Sequence, residues 1–148
     1  MLYLAYGSNL NKRQMSVRCP YSKPKGKFNL PNYELVFRGV ADIKKSEGCF
    51  VPVGVWDIDS KDEKALDRYE GYPHLYTKKY LTIKTNGKRH VCMFYVMNDE
   101  PIVYKPSDNY FRSIFEGYQD FDIDTKPLMN AYKSSLDNSA EFNYNYSS

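Results

Sequence analysis

A glutamate followed at once by glycine, in the run LDRYEG from Leu66 to Gly71, is the residue of this chain best placed to move a proton. On a helix, Glu70 shares a stripe with Leu66 and Tyr69 that would face a core, while Lys61, Lys64 and Arg68 lie toward solvent. Glu70 is also the last residue before the glycine, where the end of a helix carries partial negative charge. Burial and the helix dipole both raise a carboxyl pKa, toward the range in which the group takes up and returns a proton at neutral pH. A frayed last turn would instead swing the side chain into water, and this segment alone admits both arrangements.

The second segment with chemical content is YGSNL, Tyr6 to Leu10. A strand that ends on Gly-Ser and runs into the N-terminus of a helix leaves several backbone N–H groups unpaired and aimed at one spot, which suits a carboxylate or a phosphate. A phosphate loop would need the longer GxxxxGK[ST] pattern, which is absent, so a small carboxylate is the better guest. The same residues also read as plain structure, with Asn9 capping a helix over 10–17 and Gly7 supplying a positive φ.

The elements that must hold these residues are legible from pattern. Leu2 to Tyr6, Tyr33 to Phe37 and Phe50 to Ile58 read as strands. In the third, Val51, Val53 and Val55 share one face, and Pro52 suggests an edge or a bulge. The helix carrying Glu70 is predicted to start at Ser60 as N-cap, with Glu63 closing a capping box and Gly71 as the stop. Lys79 to Lys84 and Val91 to Met97 form a hairpin through Asn86-Gly87. Phe111, Ile114, Phe115 and Tyr118 share one helical stripe, and Leu128, Tyr132 and Leu136 another. Strands in the middle with helices between and after them predict an α+β class with a mostly antiparallel or mixed sheet.

At 148 residues, 42% apolar and 26% charged, the chain fits one soluble domain, expected over residues 1–136, with a flexible tail at 137–148 where aliphatic residues run out. Fifteen tyrosines are the compositional anomaly; such an excess suits half-buried pocket walls, though codon bias would produce it too. A net charge of +3 with dispersed Lys and Arg argues against a nucleic-acid or membrane partner. No apolar run has transmembrane length and no signal-peptide pattern opens the chain, which predicts a cytoplasmic protein. Cys19, Cys49 and Cys92 are far apart and form no CxxC pair, so neither a disulfide framework nor a metal site is expected.

With both segments in view the chain resembles the gamma-glutamylcyclotransferase-like family, whose members carry an N-terminal YGSNL and later a glutamate in an LDxxEG context. The likeness extends to GVADI from Gly39, VGVWDI before the helix, Tyr76 after the glutamate, FYVM at Phe94 to Met97 and PSDNY at Pro106 to Tyr110. It covers most of the chain apart from the tail. The resemblance implies a small, mixed, barrel-like sheet with flanking helices and a pocket at its mouth. It also implies a reaction in which the α-amine of a gamma-glutamyl compound attacks its own γ-carbonyl, releasing 5-oxoproline and an amine or amino acid. The nucleophile then belongs to the substrate, so no cofactor is called for. On this resemblance Glu70 is the general acid/base, Gly7, Ser8, Asn9 and Leu10 grip the substrate carboxylate largely through backbone N–H groups, Tyr6 also binds the substrate, and Tyr76, Tyr95 and Tyr110 line the pocket. For the three tyrosines ordinary packing is the competing expectation.

Many relatives place an arginine two residues after the tyrosine matching Tyr76; here Lys78 stands, without a guanidinium fork. His74 reads as an exposed loop residue, and His90 has no companion. The principal expectation is a cofactor-free cyclising enzyme with a small gamma-glutamyl substrate; a homodimer is compatible with it. A non-catalytic binder of a small metabolite using the same pocket is the alternative, disfavoured because a binder gains nothing from a costly buried carboxylate. A basic-aromatic RNA-binding module is disfavoured by the dispersed lysines.

Overall fold

The YGSN segment hangs from the middle of a sheet. Strand β1, Leu2–Ala5, pairs antiparallel with β3, Val40–Asp57, on one side and parallel with β5, Lys88–Met97, on the other. Flanked on both sides, it buries Tyr3, Leu4 and Ala5 regardless of parity. The structure is a computed structural model and describes residues 1–147, their side chains as far as residue 137. The full sheet has the order β2-β3-β1-β5-β4, with β2 at Lys23–Arg38 and β4 at Tyr76–Thr85. The expected α+β class and mixed sheet are observed; the sheet is open, with β2 and β4 as its edges, and does not close into a barrel.

Strands β2 and β3 form one long hairpin that turns at Gly39, whose φ of 78° is the left-handed conformation glycine adopts without strain. Both outrun the predicted Tyr33 to Phe37 and Phe50 to Ile58. From Val51 to Trp56 both faces of β3 are buried, so the valine face expected to be buried alone is matched by Pro52, Gly54 and Trp56. Gly54 is required there, since a Cβ would come within 2.8 Å of Leu10 Cδ2 and 2.9 Å of the Phe121 ring. The irregularity expected at Pro52 lies instead in the β2–β3 register at Pro24/Gly26 and Pro31/Tyr33, where Asn32 has φ of 64°. Pro52 lies beyond the last pair with β1, Ala5 and Gly54, so its missing N–H breaks no bond to that strand.

After a 3-10 turn at Ser8–Leu10, helix α1 runs over Lys12–Arg18. Its N-cap is Asn11, which accepts from the Gln14 N–H, and not the predicted Asn9. Helix α2, Ser60–Glu70, is capped by Asp59 with Asp62 completing the box, one residue earlier than the Ser60/Glu63 pair; Gly71 ends it in the left-handed conformation as expected. Asn86 and Gly87, both at positive φ, join β4 to β5 in the two-residue turn the sequence predicts. Helix α3, Asp108–Asp120, is capped by Ser107 and packs on the 3-10 turn, with Gly117 against Leu10. Helix α4 spans Lys126–Ser147; most of the segment expected as a flexible tail has side chains outside the described residues, and Ser148 lies outside them entirely. No helix among the described residues is long and apolar enough to cross a membrane.

Candidate active site

Glu70 and the YGSN turn meet across a cavity of about 140 Å³, lined by Tyr3, Tyr6, Gly7, Ser8, Asn9, Tyr69, Glu70, Tyr76, Tyr95 and Tyr110 together with Val40, Ala41 and Leu75. Drug-sized ligands occupy roughly 300–1,000 Å³. This space suits a guest of amino-acid size. A larger open trough of about 750 Å³ runs between Lys25–Phe28 and Ile83–Val91, and neither Glu70 nor the turn lines it.

Glu70 is half-buried at the end of α2. Its Oε1 accepts from Asn9 Nδ2 at 3.2 Å, which draws the carboxylate over the turn and away from solvent. Burial raises its pKa from the usual carboxyl value to about 7, and the nearby Arg18 guanidinium offsets part of that rise. Of the predicted stripe, Leu66 is fully buried and Glu70 faces the cavity, but Tyr69 is 46% exposed. Its hydroxyl is 2.8 Å from Ser8 Oγ, a contact that ties α2 to the turn.

The turn itself is fixed from several sides. Asn9 is buried, its main-chain oxygen accepts from Trp56 Nε1 at 2.9 Å, and its Nδ2 also donates to the Tyr3 hydroxyl at 2.9 Å. Gly7 leaves little room for a side chain, since a Cβ would sit 3.2 Å from Ala41 Cβ and 3.3 Å from the Tyr110 hydroxyl. The first N–H groups of a 3-10 turn have no carbonyl partner within it. The Leu10 N–H does have one, donating to the Gly7 oxygen at 3.0 Å. Leu10 does not line the cavity; its side chain is fully buried between Gly54 and Gly117.

Tyr6, Tyr76, Tyr95 and Tyr110 all reach the cavity, each held by its hydroxyl. Tyr6 donates to the Tyr95 carbonyl and Tyr76 to the Ala41 carbonyl, each at 2.8 Å. Tyr110 accepts from the Ala41 N–H at 2.9 Å, and Tyr95 donates to Asp67 at 2.7 Å. Burial pushes all four phenols well above the ordinary tyrosine pKa, so they stay neutral. Lys78, whose side chain is buried, reaches Glu63 at 2.6 Å and Asp67 at 2.9 Å. Its amine is thus committed to α2, over the Tyr72 ring. His74 lies in the exposed loop expected of it.

Five cavity residues escaped the sequence reading. Tyr3 looked like a strand residue among others, Val40, Ala41 and Leu75 carry no polar side chain to mark them, and the outward place of Tyr69 contradicts its helical stripe. Arg18, beside the cavity, had only its spacing of four from Gln14 as a signal; the two side chains meet at 3.3 Å.

A family model described as "Gamma-glutamyl cyclotransferase, AIG2-like" matches residues 3–113. The chain belongs to this family. A solved structure titled "Gamma-glutamyl cyclotransferase" is 26% identical over 90% of this chain and 85% of its own, with a TM-score of 0.73. An uncharacterized protein from Homo sapiens is 27% identical over 89% of this chain and 84% of its own, with a TM-score of 0.72. YkqA from Bacillus subtilis shares the fold, with a TM-score of 0.76 at 18% identity, over 92% of this chain and 55% of that one. Among curated proteins none matches the chain significantly.

Proposed function

We propose that this protein is a cyclising enzyme of the gamma-glutamylcyclotransferase type, acting on a small gamma-glutamyl amide. The observation that carries this reading is the half-buried Glu70 carboxyl, with a pKa of about 7, held over the Gly7–Asn9 turn by Asn9. The leading N–H groups of the turn bind the substrate α-carboxylate, and the tyrosine walls hold the glutamyl chain bent so that its amine faces its own γ-carbonyl. Holding the two reacting groups together removes entropy that otherwise opposes ring closure. Glu70 takes a proton from the α-ammonium; the freed nitrogen attacks the γ-carbon, and the new C–N bond closes the five-membered ring. The amide C–N bond then breaks as Glu70 returns its proton to the departing nitrogen, and the second proton that the ring nitrogen sheds on becoming an amide leaves with the freed amine as its ammonium. The products are 5-oxoproline and an amine or amino acid, with proton and electron count unchanged. Such proton transfer contributes about 10²- to 10⁴-fold in rate.

The test is a panel of gamma-glutamyl amino acids and amines, read for released 5-oxoproline by mass spectrometry. Wild-type protein should convert at least one of them, with kcat/KM rising with pH to a plateau above about 7 as Glu70 ionises. Glu70→Gln should keep the fold and lose turnover. Full activity in that variant would remove Glu70 from the mechanism. Binding by both forms with no product from either would leave a binding protein.

A further inference from the structure

We propose that Arg18 is a positioning residue: by holding the amide oxygen of Asn9 it fixes the amide nitrogen against Glu70, and so sets where the carboxylate stands over the cavity. The proposal rests on the reading of Glu70 as the proton carrier, and deepens it.

An asparagine amide presents an acceptor at one end and donors at the other, whereas a guanidinium only donates. Arg18 Nη1 donates to Asn9 Oδ1. That contact leaves one orientation for the amide, with Nδ2 directed at the Tyr3 hydroxyl and Glu70 Oε1. Without it the amide has no bond at Oδ1 to decide which end faces the carboxylate, and the flipped form would set an oxygen against an oxygen. Arg18 is itself held in place. Its guanidinium lies over the Tyr69 ring at 3.5 Å from the centroid, and Nη2 donates to Gln14 Oε1 at 3.3 Å, one turn back along α1. Tyr69 in turn meets Ser8 Oγ. A closed circuit of side chains therefore runs from Ser8 through Tyr69, Arg18 and Asn9 to Glu70, joining the ends of α1 and α2 to the turn between β1 and α1.

The backbone of the turn does not depend on this circuit, because Trp56 Nε1 holds the Asn9 carbonyl from β3. Loss of Arg18 should disturb a side chain and leave the turn in place. Among the other titratable groups facing the cavity, the phenols of Tyr3 from β1, Tyr6 just after it, Tyr76 from β4, Tyr95 from β5 and Tyr110 from α3 are held neutral by burial. Arg18 is the cation that lowers the Glu70 pKa, so its removal moves that pKa upward. Lysine keeps a charge but lacks the flat fork that stacks on Tyr69 while bonding Asn9.

The experiment uses the full chain with Arg18→Met and Arg18→Lys, and two readouts. The first is a ¹³C NMR titration of side-chain carboxyls without substrate, Glu70 being assigned by its loss in Glu70→Gln. The second is kcat and KM against pH on a gamma-glutamyl amide that the wild type converts. Arg18→Met should raise the Glu70 midpoint in both readouts and lower kcat by about 10- to 100-fold, the scale at which a misplaced reacting group is felt. Arg18→Lys should recover most of the midpoint and little of kcat. An unchanged Glu70 midpoint in Arg18→Met overturns the proposal even if that variant melts earlier, because a merely structural arginine would change stability alone. Should Arg18→Met not fold, Arg18→Lys decides: full wild-type kcat overturns the proposal, a loss with the midpoint kept supports it. If the wild type converts no gamma-glutamyl compound, the proposed function fails while the titration still judges Arg18.

Discussion

Glu70 shows how one half-buried carboxyl makes stability depend on pH. Its folded pKa of about 7 exceeds the ordinary glutamate value of 4.5, so its contribution to folding is fully present below about 4.5 and is lost as pH rises through 7. At pH 8 the buried charge then costs stability on the order of 1–3 kcal/mol, after allowance for its partial exposure. Glu70→Gln keeps an acceptor for Asn9 and removes the charge. We expect that variant to unfold at higher urea than wild type at pH 8, and the difference to shrink at pH 5; an equal gap at both values would mean that burial does not hold the proton on. At this scale the sequence was informative where chemistry and position coincided, as with the glutamate at a glycine stop. It was silent on Arg18, because the partners Asn9 and Tyr69 come from either side of it in sequence and converge only through the fold. Tyr69 was misjudged for a related reason: helical spacing says which residues share a stripe, and the stripe here runs over the rim of a cavity.

Among the elements, the close approach of α3 to the turn holds the site most tightly. A methyl added at Gly117 would come within 2.5 Å of Leu10 Cβ, 2.8 Å of the Leu10 carbonyl carbon and 2.9 Å of the Asn11 nitrogen. Two of these are backbone atoms that cannot rotate away. Although alanine favours helices by about 1 kcal/mol over glycine, Gly117→Ala should destabilise by about 1–3 kcal/mol, the usual cost of overpacking. It should also impair turnover, since Leu10 adjoins Asn9. Urea unfolding alongside 5-oxoproline release measures both, and a more stable, fully active Gly117→Ala would show that α3 can retreat freely. The hairpin at Asn86-Gly87 and the α2 stop were legible because each needs a backbone conformation that few residues adopt. The α2 start was ambiguous, since DIDSKDE offers the capping pattern in two frames and Asp59/Asp62 prevails over Ser60/Glu63. The first half of β2 was hidden by its lysines, Pro24 and Gly26, which local propensity disfavours and pairing with β3 overrides.

Across the whole molecule, the β2–β3 hairpin end is fastened to the rest of the sheet by charge. Arg38 and Asp42 form a buried ion pair at 2.9 Å, Asp42 also accepts from the Met97 N–H at 3.0 Å, and Arg38 donates to the Pro101 carbonyl at 2.6 Å. Removing one partner strands the other, a loss of about 3–5 kcal/mol for a buried pair. Asp42→Ala should therefore lower the unfolding midpoint sharply and loosen the neighbouring Ala41 wall. A midpoint close to wild type would show that Arg38 reaches water. The family was legible in the order of short motifs along the chain, whereas the open edge of the sheet was not, because strand closure depends on long-range pairing that no local pattern encodes. Ala41 and its neighbours have one more effect, on the polarity that an entering molecule meets. Tyr6, Tyr76 and Tyr95 have already given their hydroxyl hydrogens to a carbonyl or to Asp67, so each presents lone pairs only. Tyr3 and Tyr110 accept from nitrogen and keep a hydrogen to offer. The chamber wall thus mingles three hydroxyls that can only accept with two that still have a hydrogen to give.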